Sequence, residues 1–262
     1  MTIPIKTNQE IEKIRLSCQL AANVLDMIEE YIIPNMNTEK INQICHDYIK
    51  NVQKAIPACL GYRGYPKSIC ISINDVVCHG IPNTKKILKI GDIVNIDIAI
   101  LKNQYYGDAS RMYIVQKTSI LGKRLCQITL NSLYLSLSII KPGIPLKKIG
   151  TTIQKYVEKH DFSVVQEYCG HGIGKNFHEE PQILHYEGDD QGIVLKKNMI
   201  FTIEPMVNTG SREIKLMKDQ WTVKTKDRSL SAQYEHTILV TENGCEVLTK
   251  QYQENISKFF IN

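Results

Sequence analysis

Two stretches of the chain, LKIGDIVNID at residues 88–97 and LKKNMIFTIE at residues 195–204, align at an offset of 107. An earlier set of residues repeats at nearly the same spacing. Cys18-Gln19, Asn23, Leu25 and Pro34 return as Cys126-Gln127, Asn131, Leu133 and Pro142. A common offset across unrelated residue types marks a duplicated unit, so the fold must accommodate two similar halves, approximately 10–115 and 118–240. Each copy reads as two helices followed by an antiparallel hairpin. Two such halves, related by a pseudo-two-fold axis, give an α+β fold whose functional centre lies where they meet. No linker or low-complexity run separates them, and residues 1–262 read as a single domain.

The helices are legible from periodicity. Ile11, Ile14, Cys18, Ala21, Leu25, Ile28 and Ile32 recur at steps of three and four and so share one helix face. Thr7 with Glu10 predicts a capping box at the start, and Pro34 predicts the stop. A second helix is expected over 38–53, with Ile41, Ile44, Tyr48 and Val52 inward. The second copy predicts its pair over 119–140 and 145–159. Strands are expected near 68–73, 92–101, 111–115, 163–167, 199–206 and 233–240.

The apolar strands carry charges that need an explanation. Asp97 lies in DIVNIDIAI and Asp108 in YYGDASRMYIV. A two-residue turn at Lys102-Asn103 would set them directly opposite, with Cβ atoms roughly 4.5–5.5 Å apart, where like charges repel. Either one carboxylate turns to solvent or a cation lies between them. The repeat favours the cation. Glu204, in MIFTIEPMV, takes the place of Asp97 in the second copy, and Glu235, in AQYEHTILV, heads the strand that would pair with it. Four buried carboxylates without counter-charge would each cost on the order of several kcal/mol. Two divalent cations would neutralise them, and oxygen-rich ligation suits a hard or borderline metal. His171 in CGHGIG is the candidate fifth donor, because the flanking glycines let the backbone bring an imidazole close.

Composition excludes other classes. A hydrophobic content of 43% with 23% charged residues is that of an ordinary globular chain. No apolar run approaches the ~18–20 residues of a spanning helix, and MTIPIKTNQEIEK lacks the apolar core of a signal peptide. A cytoplasmic protein without a membrane partner is therefore expected. The eight cysteines form no C-x-x-C pair, which argues against a disulfide framework and a zinc knuckle. A net charge of +5 is too modest to imply nucleic-acid binding by itself.

The stretches CISINDVVCHGIP, VNIDIAI, YYGDASRMYIV, YCGHGIGKNFHEEP, FTIEPMV and WTVKTKDRSLSAQYEHTILVTENG together resemble the type I methionine aminopeptidases, which have the pita-bread fold. The likeness spans residues 10 to 250. It implies a single catalytic domain, a hydrolase that removes the initiator methionine from nascent proteins when the second residue is small. It implies a dinuclear site between the halves, with Asp97, Asp108, His171, Glu204 and Glu235 holding two divalent ions (Co, Mn, Fe or Zn) and Glu204 as general base. His79 and His178 match the family's auxiliary histidines, which act on the scissile amide and the developing oxyanion. The methionine pocket maps onto Cys59, Tyr62, Tyr65, Cys70, Phe177 and Trp221.

The departures are local. Asn176 and Gln220 stand where the family usually has glycine, and Lys197-Asn198 replaces a usual Pro-Gly. Family members act as chains leave the ribosome, and segment 212–228 is basic, with Arg212, Lys215, Lys218, Lys224, Lys226 and Arg228 against Glu213, Asp219 and Asp227. Lys218, Lys224 and Lys226 are expected to make transient, salt-sensitive contacts with ribosomal RNA. Nothing in the chain demands more than a monomer. Proline-specific relatives of the fold usually carry a large N-terminal domain, for which there is no room. A binding module derived from the fold would lose metal ligands, and all five are present.

Overall fold

A computed structural model describes residues 3–189, 192–252 and 254. The first half contains α1 (Asn8–Ile28), α2 (Thr38–Asp47), β1 (Ile56–Pro57), β2 (Cys70–Ile73), β3 (Val76–Cys78), β4 (Ile93–Lys102) and β5 (Tyr105–Ile114). The second half contains α3 (Ile120–Ser138), α4 (Lys147–Glu158), β6 (Ser163–Val164), β7 (Gly170–Gly172), β8 (Glu179–Ile183), β9 (Ile200–Ile203) and β10 (Met206–Asn208). It continues through β11 (Ile214–Leu216), β12 (Val223–Thr225), β13 (Ser231–Gln233), β14 (His236–Val240) and β15 (Cys245–Val247).

Helix α1 forms as its pattern dictates. The Thr7 hydroxyl accepts the Glu10 N–H at 3.3 Å, and Glu10 accepts the Thr7 N–H at 2.9 Å, closing the capping box. Ile11, Ile14, Cys18, Ala21, Leu25 and Ile28 are buried along one face. The helix tightens into a 3-10 turn over Glu29–Tyr31 before Pro34 is reached, while Ile32 stays buried beyond it. Against α1 lies β5, so closely that a Cβ at Gly107 would overlap the backbone of Ser17 and Cys18. Helix α2 runs into a π turn over Tyr48–Val52, so together they cover nearly all of the expected span, but the wider turn buries Ile49 and leaves Val52, expected inward, exposed.

The β4–β5 hairpin corrects one expectation. Its two-residue turn is Asn103-Gln104, not Lys102-Asn103, and both residues have positive φ, 50° and 68°. Asp97 therefore faces Ser110, and Asp108 faces Ala99. The aspartates still share one face, but as diagonal neighbours rather than opposed ones, which eases their repulsion.

The second half has the same plan with its hairpin interrupted. The expected strands 199–206 and 233–240 are each broken in two. Strand β9 pairs with β14, Ile203 facing His236, and β10 pairs with β13, Met206 facing Gln233. The register is the same on both sides of the break, and the unpaired positions hold Glu204-Pro205 and Tyr234-Glu235. Pro205 has no N–H to give to a ladder.

Among the described residues four sheets result: β2 and β1 beside β4 with β5 on its other edge; β13-β10-β6; β11-β12-β3; and β15-β14-β9-β7-β8. The third was not expected from sequence, and it joins β3 of the first half to β12 of the second through Val223 opposite Cys78. Each half has its own apolar core, one around Leu25, Ile41 and Ile96, the other around Leu133, Ile153 and Phe201. A third cluster crosses between them, packing Ile11 and Ile14 against Ile173, Ile200 and Leu239. Among the described residues no helix is long and apolar enough to cross a membrane.

Candidate active site

Where the halves meet, an isolated bridge pairs Ser110 with Glu235, and the Glu235 N–H donates to the Ser110 carbonyl at 3.1 Å. The Thr237 hydroxyl donates to the Asp108 carbonyl at 2.7 Å, and the Asn95 amide donates to the Gln233 carbonyl at 2.8 Å. These bonds bring the carboxylates of both hairpins into one cavity of about 300 Å³. Every residue that the resemblance assigns to the site lines it: Asp97, Asp108, His171, Glu204 and Glu235, His79 and His178, and Cys59, Tyr62, Tyr65, Cys70, Phe177 and Trp221.

Asp108, His171 and Glu235 each offer a ligand atom, all within 4.8 Å of one another. The His171 Nδ1 lies 3.0 Å from the Gly172 carbonyl, which fixes the proton there and leaves Nε2 a lone pair. That Nε2 is 3.7 Å from both Asp108 Oδ2 and Glu204 Oε1. Positive charge is needed there, supplied by a second proton on the imidazole in the metal-free protein or by a cation that takes up the lone pair. Asp108 Oδ1 and Glu235 Oε1 are buried with no hydrogen-bond partner, as expected of atoms reserved for a cation. The donor set fits a borderline divalent metal.

The electrostatics say the same. Burial first, and the neighbouring carboxylates second, push Asp97 and Glu235 well above the usual carboxylate range. Burial also raises Asp108, and raises Glu204 to about 7, against the opposing pull of His171. Burial alone would lower His171, but Asp108 and Glu204 outweigh it and raise it. Without metal the cluster tends to collect protons, which is how a preformed cation site behaves.

The two auxiliary histidines are neutral. Burial lowers His79 to about 4, and its ring stands edge-on to Tyr168 at 5.5 Å and Trp221 at 6.1 Å. His79 has φ 53°, a left-handed backbone that a histidine adopts at some cost. His178 is open to solvent on one side, yet the protein crowding its ring, followed by the charge of His171, lowers it to about 3. Its Nδ1 is 2.8 Å from the Tyr62 hydroxyl, and its ring is 4.0 Å from that of His171.

The far end of the cavity is apolar. Cys59, Tyr65, Cys70, Ala99 and Phe177 form a buried cluster that Tyr62 and Trp221 partly cover. Tyr65 meets Trp221 edge-on at 5.1 Å, and Tyr62 is tilted on Phe177 at 4.8 Å. All eight cysteines are unpaired. The departures from the family pattern leave this end intact. Gln220 and Asn198 take up positive φ, 64° and 68°, where glycine would do so without strain, and Trp221 still lines the cavity.

Sequence reading missed the residues that hold the carboxylates. The Thr202 hydroxyl donates to Glu204 Oε1 at 2.8 Å and accepts the His171 N–H at 3.0 Å. Gln233 donates to Glu204 Oε2 at 3.3 Å, and the fully buried His185 accepts the Glu204 N–H at 3.1 Å. Thr202 and Gln233 lie two positions before Glu204 and Glu235, and the period-2 rule could have found them. Nothing local marks His185, which comes from the segment after β8.

Carboxylates held in this way around a lone imidazole, at the mouth of an apolar cavity, define a metal-dependent hydrolase. The chain belongs to metallopeptidase family M24, which matches residues 12–242. It is 66% identical over 262 residues to a methionine aminopeptidase of Buchnera aphidicola subsp. Acyrthosiphon pisum (strain APS), covering all of this chain and 99% of that one. To the methionine aminopeptidase of Escherichia coli (strain K12) it is 62% identical over 256 residues, 98% of this chain and 97% of that one. The crystal structure of methionine aminopeptidase from Rickettsia prowazekii matches with a TM-score of 0.92 at 50% identity, over 95% of this chain and 100% of that one. The architecture is the pita-bread fold of these enzymes.

Proposed function

We infer that this protein is a methionine aminopeptidase, a single-domain monomer of the cytoplasm that removes the initiator methionine from nascent chains. The observation that carries this reading is one cavity of about 300 Å³ that joins the carboxylate–imidazole cluster to an apolar pocket ending at Cys59, Tyr65 and Cys70. The pocket suits a flexible, polarizable thioether. Asp97, Asp108, His171, Glu204 and Glu235 would hold two divalent cations (Co, Mn, Fe or Zn). When bound, these supply Lewis acidity toward the scissile carbonyl and toward water.

The chain's own groups do the rest. Glu204 is the general base: its carboxyl titrates at about 7 before metal binds, and Oε2 has only the long 3.3 Å bond from Gln233. A Tyr62 hydroxyl that donates to His178 Nδ1 leaves the Nε2–H as a donor to the carbonyl oxygen as it gains charge. His79, neutral near pH 7, serves the scissile amide nitrogen. The restriction to a small second residue rests on the likeness to the type I methionine aminopeptidases.

The test is release of the free N-terminal residue from Met-Ala-Ser, Met-Lys-Ser and Leu-Ala-Ser by protein of measured metal content. Release from the first alone, abolished by chelation and restored by Mn²⁺ or Co²⁺, is the expected result. No release from Met-Ala-Ser by the metal-restored protein overturns the reading.

Ribosome docking through 212–228 is part of the proposal, with a changed emphasis. Lys224 is held by Asp75 at 3.0 Å and Lys226 by Glu213 at 3.0 Å, which reduces the charge each has for phosphates. Lys215 and Lys218 are exposed, and Lys218 now stands as the foremost contact of the expected three.

A further inference from the structure

The loop that carries Phe177 and His178 is tied down by an ion pair spanning most of the chain. Lys6 and Glu179 are 173 residues apart, their side chains are 6% and 9% exposed, and the ammonium contacts Glu179 Oε2. Oε1 of the same carboxylate accepts the Asn176 N–H at 3.0 Å, so Glu179 closes its own loop while it holds Lys6. The other side of the loop is fixed where the Tyr106 N–H donates to the Gly174 carbonyl at 2.9 Å. Gly174 leaves room for the pair, since a Cβ there would meet Lys6 Nζ and Glu179 Oε1 and displace both side chains.

Stability alone does not account for this arrangement. A well-packed apolar pair could fill the same space without desolvating two charges. The arm bearing Lys6 also has other anchors: the Lys6 N–H donates to the Asn198 carbonyl at 3.0 Å, and Thr7 caps α1. The charge pair adds direction. Glu179 adjoins His178, and donors on both of its oxygens fix the carboxylate's orientation. His178 itself is open to solvent and has one side-chain hydrogen bond, to Tyr62, on which its ring stacks at 5.1 Å. Its backbone must therefore be set by its neighbours.

We propose that Lys6 is a positioning residue for His178: through Glu179, the N-terminal arm sets the loop backbone so that the His178 ring stands over the cavity. The proposal rests on the reading of His178 as a donor to the developing oxyanion. Misplacing such a donor by about an ångström is enough to slow a reaction on the order of 10²-fold.

The experiment uses the full chain, metal-loaded, with Lys6→Met and Lys6→Arg variants. Lys6→Met is expected to lower kcat on Met-Ala-Ser about 10- to 100-fold, with KM changed less than about threefold and metal content unchanged. Histidine-ring NMR should show the His178 resonances displaced in Lys6→Met and largely restored in Lys6→Arg. A Lys6→Met enzyme with normal kcat, or one that loses kcat while the His178 ring signals stay in place, overturns the proposal. Should Lys6→Met fail to fold, Glu179→Gln reads out the same quantities, because it keeps an acceptor for Asn176 and removes the charge. If the native protein releases no methionine but Lys6→Met still moves the ring signals, the functional reading fails and the positional coupling stands.

Discussion

Thr202→Val tests whether the carboxylate cluster depends on its supporting hydrogen bonds. The substitution keeps shape and β-branching in a fully buried strand position and removes only the hydroxyl. That hydroxyl does two things: it accepts the His171 N–H at 3.0 Å and donates to Glu204 Oε1 at 2.8 Å. A buried N–H left without a partner costs about 1–3 kcal/mol, and a lost bond to a charged group about 1.5–3 kcal/mol. The added methyl returns about 0.8 kcal/mol of apolar burial. A net loss of about 2–5 kcal/mol follows, to be read from urea unfolding of the metal-free protein. Metal affinity should fall between about 10- and 100-fold, since the proposed ligands His171 and Glu204 both lose their orienting partner. Titration calorimetry with Mn²⁺ measures this directly. Thr202→Ser is the control: it keeps the hydroxyl and so should keep the affinity. Equal metal affinity in the Val and Ser variants would refute the argument.

Two further outcomes are open to measurement. Asp97, Glu204 and Glu235 are acids whose folded pKa is raised, Glu204 to about 7, so the stability they contribute is present below the unfolded value and is lost as pH rises through the folded one. His79, His178 and His185, all lowered by burial, oppose this loss near pH 6.5, where the unfolded imidazoles are still partly protonated, but their slope fades as pH rises and is outweighed by that of the carboxyls. The metal-free protein should therefore lose thermal stability from pH 6.5 to 8, and saturating Mn²⁺ should abolish or reverse the trend; a metal-free Tm that is flat or rising there contradicts the burial argument. In the second test, Lys218→Glu, Lys224→Glu and Lys226→Glu combined should weaken ribosome co-sedimentation and flatten its salt dependence, each lost phosphate contact removing roughly 0.7–0.9 from the log–log slope. Unchanged sedimentation at low salt would place the docking surface elsewhere.

How much of this was legible in the sequence depended on how local the cause is. The capping box of α1 and the buried face from Ile11 to Ile28 follow from residues within one helix. The hairpin register did not. Its turn places Gln104 at φ 68°, a conformation with no marker in glutamine, so the sequence pattern sets Asp97 opposite Asp108 while the structure sets it opposite Ser110. The sheet of β3, β11 and β12 was hidden for a different reason: its strands are three residues long, and the pairing of Val76 with Lys224 crosses nearly 150 positions. Such strands exist only because the halves have already docked. The site was more legible than the fold around it, because buried carboxylates are conspicuous in apolar strands. The groups that orient them, His185 above all, gave no local sign.

The break in the second hairpin shows how the duplicated unit became asymmetric. In the first half the ladder runs unbroken past Asp97, whose strand is paired on both edges, with Cys70 and with Ser110. In the second half, Glu204 and Glu235 occupy the unpaired positions of a ladder whose register does not change. Their backbone N–H groups are not left unsatisfied. That of Glu235 donates to Ser110 in the other half, and that of Glu204 donates to His185. The break thus releases one N–H to stitch the halves together beside the carboxylates. A continuous ladder would hold that N–H within its own sheet, and the cluster would lose a bond that sets the distance between Glu235 and the first-half hairpin. Pro205 secures the break, since no change elsewhere can give it an N–H. The geometry of the site therefore comes from an interruption in one copy of a structure that the other copy keeps whole.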